Sequence, residues 1–236
     1  MSSFINEYRG ASYSDIGGGA VKKWEDYDYV ISPSGKKIDM NELLNDQYRA
    51  KNALVHLIPY FGEFVGKFRF IYTFRIPTQA TDGRDIFINP EFTSELDFTG
   101  KVFVMAHEVM HCILNHLRRA KAIGADMTKA NIAADYECNI TLAEMDAVRR
   151  SPGLNDPDQR KVKPLVSIET MEKLGALVDK KYSGWGFEKI YKDNPSGPTD
   201  RPKPPSGSQS PMNRSKDWVD GWNKAIEDYK NGKLKL

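Results

Sequence analysis

The chain has 236 residues, with 34 Lys and Arg against 32 Asp and Glu, and 11% of it is aromatic. That length accommodates one sizeable core with appendages, and the balanced charge excludes both an acidic solvating tail and the basic bias of a nucleic-acid binder. Two cysteines are too few for a disulfide framework. With no apolar leader and no apolar run of about 18 residues, they predict a cytoplasmic, reducing environment without signal peptide or membrane span.

Residues 1–36 are rich in Gly, Ser and Tyr, interrupted by Gly17-Gly18-Gly19 and Ser32-Pro33-Ser34-Gly35, and read as a partly irregular arm. A helix is predicted over 39–59, with Asp39 as N-cap and Glu42 at capping-box spacing. The alternation of Phe68, Phe70, Tyr72 and Phe74 predicts a strand, and Arg84 to Asn89 a second one after the Asp82-Gly83 turn. Helices follow over 101–121, closed by Gly124, and over 128–150, capped by Thr128 and stopped by Pro152-Gly153. A polar loop then leads to a third helix over 167–182 and a short fourth over 186–191. Six prolines between Pro195 and Pro211 mark a linker. Trp218, Trp222 and Ile226 stand at i, i+4, i+8 of a terminal helix. The organisation expected is therefore an arm (1–36), a main domain (37–192), a linker (193–215) and a C-terminal helix (216–236).

The chemistry concentrates in His107-Glu108-Val109-Met110-His111. On a helix, residues four apart differ by about 40°, so both imidazoles leave one face. That spacing suits two nitrogens at about 2.0–2.1 Å from one tetrahedral zinc. Glu108, beside the first ligand, is placed to take a proton from a metal-bound water and pass it to a leaving amine. The apolar run Val102 to Ala106 buries the helix. An amphipathic helix carrying surface His and Glu is the plain alternative. The motif's apolar setting and its use of two of only four histidines weigh against that.

A catalytic zinc takes three protein ligands and a water. His116 lies five residues past His111 and points about 180° from His107 on an unbroken helix, so it reads as a structural or orienting residue. Asp135 and Asn139 share a face of the next helix, next to the small Ala133 and Ala134. Asp135 is the choice for third ligand, with Asn139 orienting a ligand by hydrogen bond. Glu137 points elsewhere on that helix, about 200° from Asp135. Cys112, Cys138 and His56 read as structural.

Together, Thr81-Asp82-Gly83-Arg84, Phe87-Ile88-Asn89-Pro90-Glu91-Phe92, Ala106 to Cys112, Asn131 to Tyr136 with Asn139, and Gly184 to Tyr191 resemble the predicted metal-dependent peptidases of bacteria and phages, over roughly residues 40–192. That resemblance implies an α+β, zincin-like domain, mostly helical with a small mixed sheet. It also implies one Zn2+ per chain on His107, His111 and Asp135, a peptide or protein substrate, and a bacterial or phage source. The strand Arg84, Asp85, Ile86, Phe87, Ile88 and Asn89 would be the sheet edge above the metal, open to an extended peptide. Larger members carry a von Willebrand A-like domain, whereas this chain has a Pro-rich linker and one short helix after residue 192.

The favoured activity is peptide hydrolysis by Glu108-assisted attack of a zinc-bound water. Two alternatives stand beside it. One is a catalytically silent scaffold that docks a protein partner through its C-terminal tail. The other is hydrolysis of a small amide. Neither nucleic acid nor membrane is expected as a partner.

Overall fold

The computed structural model describes residues 10–12, 27–57, 64–151 and 163–193. The linker and C-terminal helix expected beyond residue 193, most of the N-terminal arm and the Pro152-Gly153 stop lie outside the described residues. Among those described, the fold is α+β, with helices predominating over two small three-stranded sheets.

The first sheet runs β1 (Gly10–Ser12), β2 (Tyr29–Ile31), β3 (Lys37–Asp39), with β1 parallel and β3 antiparallel to β2. Part of the expected arm is thus a hairpin. Gly35 takes φ 87° at its turn, a conformation glycine adopts without steric cost, and Val30 and Ile38 face inward. Helix α1 (Met40–Leu57) follows directly. Asp39 caps it by accepting from the Glu42 backbone N–H at 2.9 Å.

The second sheet holds β4 (Arg69–Tyr72), β5 (Gln79–Thr81) and β6 (Asp85–Ile88) in the order β4-β6-β5. β4 lies parallel and β5 antiparallel to β6. The span Arg84–Asn89 is therefore the centre of this sheet and not its edge. Its polar ends are also committed. The Asp85 carboxylate takes two bonds at 2.7 Å from the Arg69 guanidinium. Asn89 caps helix α2 (Pro90–Glu95), accepting from Glu91 N–H at 2.8 Å and Phe92 N–H at 3.3 Å. Asn89-Pro90 is a cap followed by proline at N1, a helix-start signal carried by the sequence itself.

Helix α3 (Phe98–Ile113) starts three residues before the predicted Lys101, because Asp97 caps it by accepting from Gly100 N–H at 2.8 Å. It is buried from Gly100 to His111 and packs against α1, β5, α5 (Met127–Arg150) and α6 (Ile168–Lys173). The predicted single helix to residue 121 is in fact two. Asn115 sits in the left-handed region at φ 56°, ending α3 and starting α4 (His116–Ala122) in a new direction. Asp126, rather than Thr128, caps α5.

The predicted helix over 167–182 is also divided. Gly175 takes φ 69°, its N–H bonds Glu172 O, and Ala176 N–H bonds Met171 O, the paired closure that stops α6. An irregular stretch, a 3-10 turn (Lys180–Tyr182) and α7 (Phe187–Asp193) follow. The main core gathers α1, β6, α3, α5 and α6. A smaller one joins Ala120, Ala130, Ala133 and Ala134 to Tyr182, Phe187 and Ile190. Small side chains on α5 let α7 approach closely there. No helix among the described residues is long and apolar enough to cross a membrane.

Candidate metal centre

Helices α3 and α5 cross with the motif face to face. His107 Nε2 and His111 Nε2 lie 2.9 Å apart, as one helical turn on a shared face dictates. The Asp135 Oδ1 atom is 3.4 Å from the first and 3.3 Å from the second. A triangle with those sides has a circumradius of about 1.9 Å. That is close to zinc's bond length of about 2.0–2.1 Å, so His107, His111 and Asp135 would fit such an ion.

The hydrogen-bond partners assign the protons. Asn139 Nδ2 donates to the Leu177 carbonyl at 2.8 Å, so its Oδ1 faces His107 Nδ1 at 2.7 Å and must accept from it. His107 then donates through Nδ1 and turns Nε2 toward His111 and Asp135. On the other side, His116 Nε2 lies 2.7 Å from Glu137 Oε2 and must donate to that carboxylate. His116 Nδ1 lies 3.0 Å from His111 Nδ1. The two Nε2 atoms and the Asp135 oxygen converge on one point.

Burial deepens this. His107 is 0% exposed, Glu108 and Asp135 3% each, and His111 9%, so the site opens to solvent on the His111 side. Desolvation first, and then the nearby His107, hold His111 down to about 3, so the ring is neutral at ordinary pH. A neutral His111 ring beside His107 and the Asp135 carboxyl group in a dry pocket is a donor set that fits a cation.

Cys138 is a competing donor. It offers a sulfur with ligand atoms of His107 and His111 all within 4.8 Å of one another. It also contacts the His107 carbonyl at 3.9 Å and His116 Nδ1 at 3.7 Å. Asp135 lies against both Nε2 atoms and is the better placed of the two. Cys112 is turned to the sheet, with Sγ 3.1 Å from Thr81 Oγ1, and burial pushes its thiol up to about 11.

The helix break brings His116 back to His111, where an unbroken helix would point it away. Glu137, read in sequence as facing elsewhere, receives His116 Nε2–H and also Arg119 Nη1 at 3.0 Å. Arg119 forks onto Glu188 of α7 at 2.8 and 2.6 Å. That guanidinium holds Glu188 down to about 2. Glu137 and Leu177 were missed as partners of the site's side chains. The legible clue was Asn115, the residue type besides glycine that most readily turns left-handed. The residues Arg84–Asn89 do not come into this cluster. β5, the neighbouring strand that packs on α3, is itself buried along its length.

No curated protein and no solved structure matches the chain. A family model described as "Putative metallopeptidase domain" matches residues 44–235, which includes every residue of the centre and extends past the described structure. By that match, over most of its length, the chain belongs to this metallopeptidase family.

Proposed function

We propose that the protein is a zinc-dependent peptidase in which His107, His111 and Asp135 hold the ion and Glu108 is the general base. The observation that carries this reading is the convergence of three donor atoms 2.9–3.4 Å apart, two of them on the helix that also bears Glu108 and the third on α5. Asn139 and His116 orient the two imidazoles. The ion, when bound, supplies Lewis acidity that acidifies water and polarises a carbonyl. Glu108 takes the proton of the attacking water and delivers it to the leaving amine nitrogen, so that one carboxylate serves as base and then acid. The dry walls from Val102 to Ala106 keep competing water out. The substrate is a peptide bond, as membership of the family supports.

The test is metal content and hydrolysis together. Wild type should hold about one zinc per chain, Asp135→Ala should lose it under gentle chelation, and Cys138→Ala should keep it. Glu108→Gln should retain zinc and lose about 10²–10⁴-fold in cleavage of an unfolded protein substrate. Zinc retained by Asp135→Ala and lost by Cys138→Ala would replace Asp135 with the thiolate. No zinc uptake by wild type would refute the reading.

A further inference from the structure

We propose that Glu137 is a positioning residue for the metal. Acting through His116, it fixes His111 as the Nδ1–H tautomer and so aims His111 Nε2 at the ion. This rests on the reading of His107, His111 and Asp135 as ligands.

The argument is one of obligatory donors and acceptors. A carboxylate only accepts, so the 2.7 Å contact commits His116 Nε2 as a donor. Zinc on His111 Nε2 leaves that ring's proton on Nδ1, 3.0 Å from His116 Nδ1, and the bond to Glu137 leaves His116 Nδ1 as its acceptor. An isolated neutral histidine favours the proton on Nε2, the wrong nitrogen for a ligand that binds through Nε2. The string reverses that preference at His111. His116 is 3% exposed and Glu137 7%, so water competes poorly for either bond.

Each member is braced. Phe187 packs on the His116 ring at 5.6 Å between centroids. Arg119 Nη1 donates to Glu137 and, at 3.2 Å, to the Leu114 carbonyl at the helix break. A plain structural ion pair would be complete in the Arg119–Glu188 fork, which already ties α4 to α7. Glu137 adds nothing to that tie beyond one bond, yet its Oε2 accepts from the imidazole N–H as well. His107 receives the same service from Asn139, a neutral acceptor, so the two ligand imidazoles are oriented by different chemistry.

The experiment uses the full chain loaded with zinc. Zinc affinity is measured by competition with a chromophoric chelator for wild type, Glu137→Ala, Glu137→Gln and Glu188→Gln. The four histidines are read by 15N-histidine NMR in wild type. Glu137→Ala should lose about 10–100-fold in affinity. Glu137→Gln, whose amide oxygen still accepts from His116, should stay within a few-fold of wild type. Glu188→Gln should keep its affinity, because the string is intact. The spectra should show protons on His107 Nδ1, His111 Nδ1 and His116 Nε2. That tautomer reading needs no variant and so survives any failure of Glu137→Ala to fold. A wild type that binds zinc alongside an equally tight Glu137→Ala would overturn the inference alone, as would His111 bound through Nδ1. A wild type that takes up no zinc would overturn the ligand assignment, and this inference with it.

Discussion

Replacing Asn139 by Ala removes a fully buried amide that satisfies two other buried groups, His107 Nδ1–H and the Leu177 carbonyl. Each orphaned group costs about 1–3 kcal/mol. The space vacated is near the size of one water, which can recover part of that. The net loss should be about 2–4 kcal/mol. For a chain of this size that corresponds to a fall in Tm of roughly 5–15 °C. His107 also loses what holds its ring and tautomer, so zinc affinity should fall about 10–100-fold. Thermal unfolding in chelator gives the first number, and chelator competition gives the second. Asn139→Asp separates them. It keeps an acceptor for His107 but sets a carboxylate against the Leu177 carbonyl, so stability should drop while zinc affinity holds near wild type. An Asn139→Ala protein whose Tm stays within about 2 °C of wild type, in chelator and in zinc alike, would show that the amide is not carrying these two bonds.

The Arg119–Glu188 pair predicts a pH signature. Glu188 is held down to about 2 from 4.5, so its contribution is complete above pH 4.5 and disappears as pH falls toward 2. Its side chain is 43% exposed, and screening reduces the contribution to about 1 kcal/mol. The stability gap between wild type and Glu188→Gln, followed by urea unfolding, should therefore close between pH 4.5 and 2. A gap that widens on acidification contradicts the assignment. At the helix break, Asn115→Gly should leave stability within about 0.5 kcal/mol of wild type, whereas Asn115→Val should cost about 1–2 kcal/mol at φ 56°. The Val variant should also weaken zinc binding by moving His116, and an unchanged affinity would show that His116 keeps its place without the left-handed turn.

The parts of the site that sequence made legible are those governed by local periodicity. His107, His111, Asp135 and Asn139 each sit on a long helix, and the spacing of four alone puts each pair on one face. What failed to show was everything set by breaks in that periodicity. Leu114-Asn115 carries no glycine or proline, so α3 read as continuous and His116 as turned away. Gly175 was absorbed into a helix because the apolar pattern resumes after it, and the Leu177 carbonyl it frees was invisible as a partner. Sheet order was unreadable for a different reason. Asp85 looks like an exposed polar end of a strand until Arg69, sixteen residues earlier, is paired beside it.

The stop at Gly175 bears on how the site could be moved or trimmed. All the proposed ligands lie between residues 107 and 135, which invites treating α3 to α5 as a portable two-helix module. Yet the carbonyl that fixes Asn139 comes from Leu177 and the ring that backs His116 from Phe187. A fragment ending after α5 would keep every donor atom and lose its scaffolding. Grafted onto another helical pair, the same donors would be left to find their own rotamers and tautomers. The smallest transplantable unit runs through α7, and the chain between α5 and α7 belongs to the site as much as the helices that carry it.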